Sequence, residues 1–546
     1  MFFGTYLFII SSTLQYENCM DFKIPQMFFN LLILAVVLVI MYVILNKWKK
    51  VVSGILLTAV IALVGMSGIN IAGIQSAAAE AKIIADELSE DVPHFALSKT
   101  GKNVIVFMLD RGMGQYIPYL FNEKPELKEQ FDGFTYYSNA IAYGSVTNYG
   151  SPSLFGGYEY TPIEMNKRED ELLMDKHNEA LKVMPVLFLE NGYDVTICDP
   201  PYANYKWIPD LSIYDEYPNI DAYITEGRFE DPTVKEYKVS STKRNFFCFS
   251  LMKTMPLVLQ ETIYNEGKYN QAEQAPETFV YATQTQHSPS VSEGLSSTFM
   301  EPYNVLVNLS NMTEITEDGT NTLLLMTNNT THEPMLLQEP EYVPAQYVDN
   351  SQYDVEHKER FTVNGMTLKM QSAVQYMHYE TNMAAMIQLG KWFDYLREND
   401  VYDNTRIILV SDHGRHLRQS EELIMDISDK SLNTVEPYFP LLMVKDFDSE
   451  GFSTDTTFMT NADVPTIVLE NLIENPVNPF TGKPIDNTAK EGKQYISASS
   501  VWNVNKNNGY TYLPSKWWVV EENIWEKENW TFIDEELVLQ EEILGK

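Results

Sequence analysis

VYDNTRIILVSDHG, Val401 to Gly414, is the stretch on which the fold turns. Its run from Arg406 to Ser411 is apolar, bounded by polar turn residues, and short enough to be a strand rather than a helix. A strand apolar at every position is covered on both faces, as in the middle of a parallel sheet. Two further runs share this form. NVIVFMLD, Asn103 to Asp110, ends on an acid, and LLLMT, Leu323 to Thr327, leads into NNTTHEP, Asn328 to Pro334. Open α/β sheets bind ligands at the carboxyl ends of their strands. Asp110, His332 and the pair Asp412-His413 should therefore meet at one edge.

Between these runs the chain alternates helix and strand. Met184 to Gly192 reads as a helix closed by a glycine, followed at once by a strand from Tyr193 to Cys198. Met383 to Asn399 reads as a helix before the strand at Arg406, and Val435 to Val444 as a further strand. The expected fold is α/β, a mostly parallel central sheet flanked by helices.

With 39 basic and 75 acidic residues the net charge is −36, which excludes nucleic acid as a partner, because phosphate backbones reward basic surfaces. Cys19, Cys198 and Cys248 are widely spaced with no CxxC pair, so neither a zinc knuckle nor a disulfide framework is expected. Met27 to Asn46 carries no charge. At about 1.5 Å per residue it matches one hydrocarbon core of about 30 Å. A second uncharged stretch, Val51 to Ile74, follows after only KWKK, Lys47 to Lys50. So short a basic connection stays cytoplasmic, which places the rest of the chain outside.

The expected organisation is a membrane region at 1–76, with helices at 27–46 and 51–74 and a partial helix at 1–12, then a stalk at 77–100. A catalytic domain at 101–490 follows, carrying an insertion at 200–320 that lies over the site and includes a helical section near Phe246 to Tyr264. A C-terminal extension at 491–546 holds Trp502, Trp517, Trp518, Trp525 and Trp530, expected to pack on the catalytic domain, and an acidic end from Glu535.

Asp110, Asp412 and His413 suit a divalent ion. Transfer at phosphorus needs an activated nucleophile and a counter-charge for the developing negative oxygens, and such an ion supplies both. The nucleophile candidate is Thr147, in YGSVTNYGSPSLF, Tyr143 to Phe155. There Gly144 and Gly150 allow close approach to a phosphate, and Pro152 is expected to start a helix facing the anion.

These segments together resemble the alkaline phosphatase and sulfatase superfamily, and within it the lipoteichoic acid synthase and phosphoethanolamine transferase branch. The resemblance covers about residues 100 to 490, and ENGY at Glu190 to Tyr193, THEP at Thr331 to Pro334, NADVPT at Asn461 to Thr466 and NPFTGK at Asn478 to Lys483 support it. It implies a phosphotransferase with a covalent intermediate on Thr147 and an ion held by Asp110, Thr147, Asp412 and His413. His332, Arg111 and His416 are its substrate-binding candidates, His332 touching the phosphate or leaving group. Sulfatases carry a modified Cys or Ser two residues before the proline and an Arg two after it, where this chain has Gly150 and Leu154. Arg111 stands where sulfatases place a second Asp, so the resemblance implies one ion rather than two, with Mn²⁺ favoured and Zn²⁺, Mg²⁺ or Ca²⁺ as alternatives. The chain departs from the branch in having Asp110 for a usual Glu, Asp199 for a substrate histidine, and His416 nearer the Asp-His-Gly than the further histidine of the transferases. His94, His177, His287, His357 and His378 have no motif and are expected to be surface or core residues.

The function expected is a membrane-anchored, multi-pass, extracytoplasmic enzyme that transfers a glycerophosphate- or phosphoethanolamine-type group, its partner a membrane lipid or an envelope glycan or polymer. The alternatives are a phosphate- or sulfate-ester hydrolase and a non-catalytic envelope-binding protein.

Overall fold

The apolar runs lie side by side in the protein. Its computed structural model describes residues 14, 22–88, 93–229, 232–267, 269, 284–498, 509–512 and 516–533. β1 (Asn103–Leu109) lies between β5 (Thr322–Asn328) and β6 (Thr405–Val410), parallel to both. β3 (Asp194–Cys198) and β4 (Ile220–Tyr223) extend the sheet on one side. β7 (Leu442–Lys445), β2 (Phe134–Tyr137) and β8 (Ser453–Asp455) extend it on the other. The order is β8-β2-β7-β6-β1-β5-β3-β4, with β7 antiparallel to both its neighbours. The fold is therefore α/β with a mostly parallel sheet.

Strand alternation builds two cores from one strand. Val104, Val106 and Met108 enter the cluster that holds helix α4 (Leu173–Glu190), while Ile105, Phe107 and Leu109 enter the cluster that holds α7 (Ala373–Glu398). Met184, Leu187 and Phe188 pack from α4, and Met383, Trp392 and Phe393 from α7. Gly192 ends α4 at φ +79, as its place in the sequence predicts.

Several boundaries differ from expectation. α7 begins ten residues before Met383, on a capping box of Ser372 with Gln375. The run from Val435 yields a strand only from Leu442, because Pro437 and Pro440 have no N–H for a ladder, and Glu436–Tyr438 forms a 3₁₀ turn instead. Within the expected insertion, β4 joins the main sheet, and Asp231–Val280 clusters with the N-terminal residues rather than with the sheet.

Two compact units result, Met1–Val92 with Asp231–Val280, and Pro93–Glu230 with Tyr281–Lys546. In the first, α1 (Ile24–Lys47) and the Lys49–Ser76 part of α2 (Lys49–Leu88) are long and apolar enough to cross a membrane, and few of their side chains are buried. The same unit contains α5 (Pro232–Thr254) and α6 (Leu257–Tyr264). In the second, β9 (Gln494–Ser497), β10 (Trp517–Val520) and β11 (Trp530–Ile533) form an antiparallel sheet whose Trp518 and Trp530 pack with Tyr438 and Phe439. Cys198 and Cys248 are free. The expected helix at 1–12, Cys19, Trp502 and the acidic end from Glu535 lie outside the described residues.

Candidate active site

The register of β1 against β6 sets the site. Met108 pairs with Val410, so Asp110 and Asp412, each two residues further on, emerge side by side at the carboxyl edge. Asp110 is tied at the backbone, its N–H donating to Asn328 O at 3.0 Å and its carbonyl accepting from Thr331 Oγ1 at 2.6 Å. Ser411 fixes the second strand end through its N–H to Leu441 O at 3.0 Å and its hydroxyl to Gly112 O at 2.7 Å.

Thr147 arrives on the first residue of α3 (Thr147–Gly156), and its Oγ1 donates to Asp110 Oδ2 at 3.4 Å. The helix therefore starts at Thr147 and not at Pro152, which lies inside it. Proline there has no N–H for the carbonyl of Asn148. The hydroxyl of Tyr512 donates to that carbonyl instead, at 2.7 Å, from the C-terminal segment. The glycines also act otherwise than expected. A Cβ at Gly150 would stand 2.1 Å from Asp412 O, and one at Gly144 2.2 Å from the Cβ of Tyr149. Both are explained by contacts within the protein. The amide of Asn461 closes the joint, donating to Gly150 O at 3.0 Å and to Asp412 O at 3.3 Å.

Ligand atoms of Asp110, Asp412 and His413 all lie within 4.8 Å of one another, and all three residues are buried. His413 Nε2 is 3.9 Å from Asp110 Oδ1 and 3.5 Å from Asp412 Oδ2. His413 Nδ1 is 2.7 Å from Gly414 O, which assigns the proton to Nδ1 and leaves the Nε2 lone pair facing the carboxylates. Asp110 Oδ1 and Asp412 Oδ2 accept no hydrogen bond among the described residues. Burial, and next the charge of Asp110, push the Asp412 carboxyl well above its usual range, and burial drives His413 down to about 3. Two buried carboxylates and a neutral imidazole, with ligand atoms this close and the Thr147 hydroxyl beside them, fit a divalent cation.

Arg111 stands beside them in the left-handed region, at φ +61. Its N–H donates to Asp412 Oδ1 at 3.1 Å, and Nη1 to His332 O at 3.4 Å. His332 is half-buried, with Nδ1 2.8 Å from Glu333 Oε1. His416, by contrast, is not brought to this cluster; it is exposed, and its Nε2 accepts from Arg418 Nε at 3.3 Å. Its neighbour Arg415 interacts electrostatically with Arg111 and Glu333. The loop bearing Arg415 is held by Glu436, whose carboxylate accepts from the backbone N–H groups of Leu417, Arg418, Gln419 and Ser420. Asp199, at the expected substrate-histidine position, gives its carboxylate to the N–H and hydroxyl of Thr225, and burial raises it to about 6.

Two site residues carry no sequence motif. His378, on α7, is fully buried, and neither ring nitrogen makes a well-formed hydrogen bond among the described residues; burial, then the positive charges of Arg111 and Arg415, lower its pKa well below the usual value. The second is Tyr202, whose phenol lies within the electrostatic reach of Asp110 and Asp412. Its loop runs through left-handed conformations at Asp199, Tyr202, Asn204 and Tyr205. His177 secures it at Pro201 O, 2.8 Å away, and Asn178 by two hydrogen bonds to Asn204. A core histidine thus positions a site loop. His94, His287 and His357 are exposed, as expected.

No protein-family model matches the chain, and no curated protein matches it. Solved structures of the alkaline phosphatase superfamily do. The lipoteichoic acid synthase LtaP from Listeria monocytogenes is 12% identical, with a TM-score of 0.38 over 80% of this chain and 86% of that one. The phosphonate monoester hydrolase of Agrobacterium radiobacter is 13% identical, with a TM-score of 0.42 over 77% and 86%. A superfamily protein from Vibrio parahaemolyticus is 12% identical, with a TM-score of 0.39 over 82% and 85%. Likeness at this level carries no argument about activity.

Proposed function

We propose that this chain is a membrane-anchored, metal-dependent enzyme that transfers a glycerophosphate- or phosphoethanolamine-type group in the cell envelope through a covalent intermediate on Thr147. The observation that carries this reading is the Thr147 hydroxyl bonded to Asp110 Oδ2, beside two buried carboxylate oxygens that accept no hydrogen bond among the described residues.

Asp110, Asp412 and His413 would hold one divalent ion, Mn²⁺ favoured, with Thr147 as a further ligand. When bound, the ion lowers the pKa of a coordinated hydroxyl and offsets negative charge on the phosphoryl oxygens. In the first half-reaction Thr147 Oγ1 bonds to phosphorus, its proton leaving along the hydrogen bond towards Asp110. The phosphorus–oxygen bond to the diacylglycerol breaks, and His332 protonates the departing oxygen. In the second half an acceptor hydroxyl returns a proton to His332, its oxygen bonds to phosphorus, and Thr147 leaves and recovers its own proton. Arg111 and Arg415 supply positive charge for the anionic group. Position 150, two residues before the proline, has no room for a Cβ, which supports Thr147 over that position as the nucleophile.

The membrane reading is supported by the uncovered apolar surfaces of α1 and α2 and by the basic connection between them, whose charge favours an external position for the chain beyond α2. The test is to incubate the full chain in detergent with Mn²⁺ and either phosphatidylglycerol or phosphatidylethanolamine, without acceptor, and to weigh the intact protein. The expected result is one glycerophosphate or phosphoethanolamine adduct, mapped to Thr147 and missing in Thr147→Ala. A Thr147→Ala variant that keeps more than about a tenth of wild-type turnover would refute the assignment.

A further inference from the structure

α5 and α6 are packed on one side and bare on the other. On the packed side Met252, Leu257 and Tyr264 are buried with Phe22, just ahead of α1, and Met27 of α1 lies against the same cluster. α6 opens after Pro256, so the N–H of Leu257 has no partner in its own helix. It donates to Asn30 Oδ1 of α1, at 3.3 Å. Asn30 is six residues into α1, about 9 Å along its axis at 1.5 Å per residue. That is about the depth at which an interfacial helix lies, 5–10 Å below the membrane surface.

The bare side carries Phe247, 69% exposed, and Phe246, 55% exposed, with Leu251 on α5 and Val258 and Leu259 on α6. From Phe246 to Met252, α5 is thus apolar on two opposite faces, an arrangement that water does not favour. Its cations lie among these residues. From Thr242 to Tyr264 the chain has Lys243, Arg244 and Lys253 against the single acid Glu261, in a protein of net charge −36.

We propose that α5 and α6 form an interfacial hairpin whose bare face, led by Phe246, Phe247 and Leu259, is buried in an anionic phospholipid surface at the N-terminal end of α1. This rests on the reading of α1 as a membrane span. The occupant is lipid because the face continues from an uncharged helix and is basic where the chain as a whole is acidic. The smaller inserted segment leaves the larger unit after Glu230 and rejoins it at Tyr281, so the hairpin is an anchor in the middle of the chain, additional to α1 and α2.

The test uses the full chain with Cys19→Ser and Cys248→Ser, which leaves only the buried Cys198, in vesicles of phosphatidylethanolamine with phosphatidylglycerol. A single environment-sensitive label is placed in separate proteins by Phe247→Cys, Leu259→Cys, Leu38→Cys on α1 or Val355→Cys on the larger unit. Lipids brominated in their acyl chains should quench the labels at 247, 259 and 38 by about twofold or more, while the label at 355 responds to aqueous iodide instead. Replacing phosphatidylglycerol with phosphatidylcholine should reduce quenching at 247 and leave 38 unchanged. The proposal is overturned if 38 is quenched by lipid while 247 and 259 respond only to iodide. It is equally overturned if they respond to neither quencher, as a protein partner or second copy covering them would produce. Quenching at 247 that is indifferent to phosphatidylglycerol overturns the anionic surface, and a label at 38 that lipid does not quench overturns the membrane reading along with the hairpin.

Discussion

The larger unit contains two buried acidic clusters, built in opposite ways. In one, Glu123, Glu339 and Asp354 surround the guanidinium of Arg360, with Nη2 2.8 Å from Glu339 and 2.6 Å from Asp354 and Nε 3.6 Å from Glu123. Tyrosine hydroxyls fill in, Tyr379 donating to Glu123 at 2.7 Å and Tyr342 donating to the same side chain. Burial still pushes Glu339 up to about 8, with Arg360 pulling against it. In the other, Asp110 and Asp412 face the neutral His413, with no Lys or Arg ion pair to either carboxylate among the described residues, and the nearby Arg111 turns a guanidinium nitrogen to a backbone carbonyl. Buried carboxylates are costly unless paired or metal-bound. One cluster carries its cation in the sequence. The other leaves a cation-shaped demand, and that difference separates an internal brace from a place for chemistry.

The largest expected effect follows from Asp412→Asn. Turnover should fall by about 10³-fold or more, while thermal stability without metal stays equal or rises, because a like-charge contact is removed. Comparable activity in this variant would break the contrast. Arg360→Met should do the reverse. It leaves three buried acids without their cation, costs about 3–5 kcal/mol in a denaturant titration, and spares the turnover of the molecules that remain folded. A loss below about 1 kcal/mol would show that the tyrosines suffice to hold that cluster.

Asp199 offers a third, largely buried case that sharpens the rule by pH. Its carboxyl is raised from 3.8 to about 6, so between those values the folded state holds the proton more tightly than the unfolded one. Its favourable contribution is complete below about pH 4 and is lost as pH rises through 6. Asp199→Asn should therefore be more stable than the wild type by about 1–2 kcal/mol at pH 7.5, after allowance for partial exposure, and the gain should shrink to nothing near pH 4. A gain independent of pH would assign the effect to packing. The smallest expected effect is that of Tyr512→Phe, which leaves the carbonyl of Asn148 without its donor. About 1 kcal/mol should be lost in thermal unfolding, together with a measurable drop in kcat because α3 carries Thr147.

Much of this was legible because a parallel sheet writes its central strands as unbroken apolar runs and places polar site residues just past them. Asp110, His332, Asp412 and His413 could be read that way, and Thr147 through its glycine-bracketed segment. β4, with the sequence IDAY at the sheet edge, is short and half polar and gives no such signal. His378 lies before the point where the helix was expected to start, and the Ser372–Gln375 capping box was the available clue. Tyr202 and Arg415 occupy irregular loops fixed by distant groups, Asn178 and Glu436, and no local pattern reports a partner that far along the chain. Pro152 misled for a related reason. The donor that lets it sit inside a helix comes from Tyr512, hundreds of residues away.

The contrast between the clusters is tested most directly by titrating the full chain with Mn²⁺ in a calorimeter. One ion per wild-type chain is predicted, with Arg360→Met binding as the wild type does and Asp412→Asn binding at least about a hundredfold more weakly. Wild-type chain that takes up no ion, or Asp412→Asn that binds as tightly as wild type, would contradict the assignment of Asp110, Asp412 and His413 as the metal site.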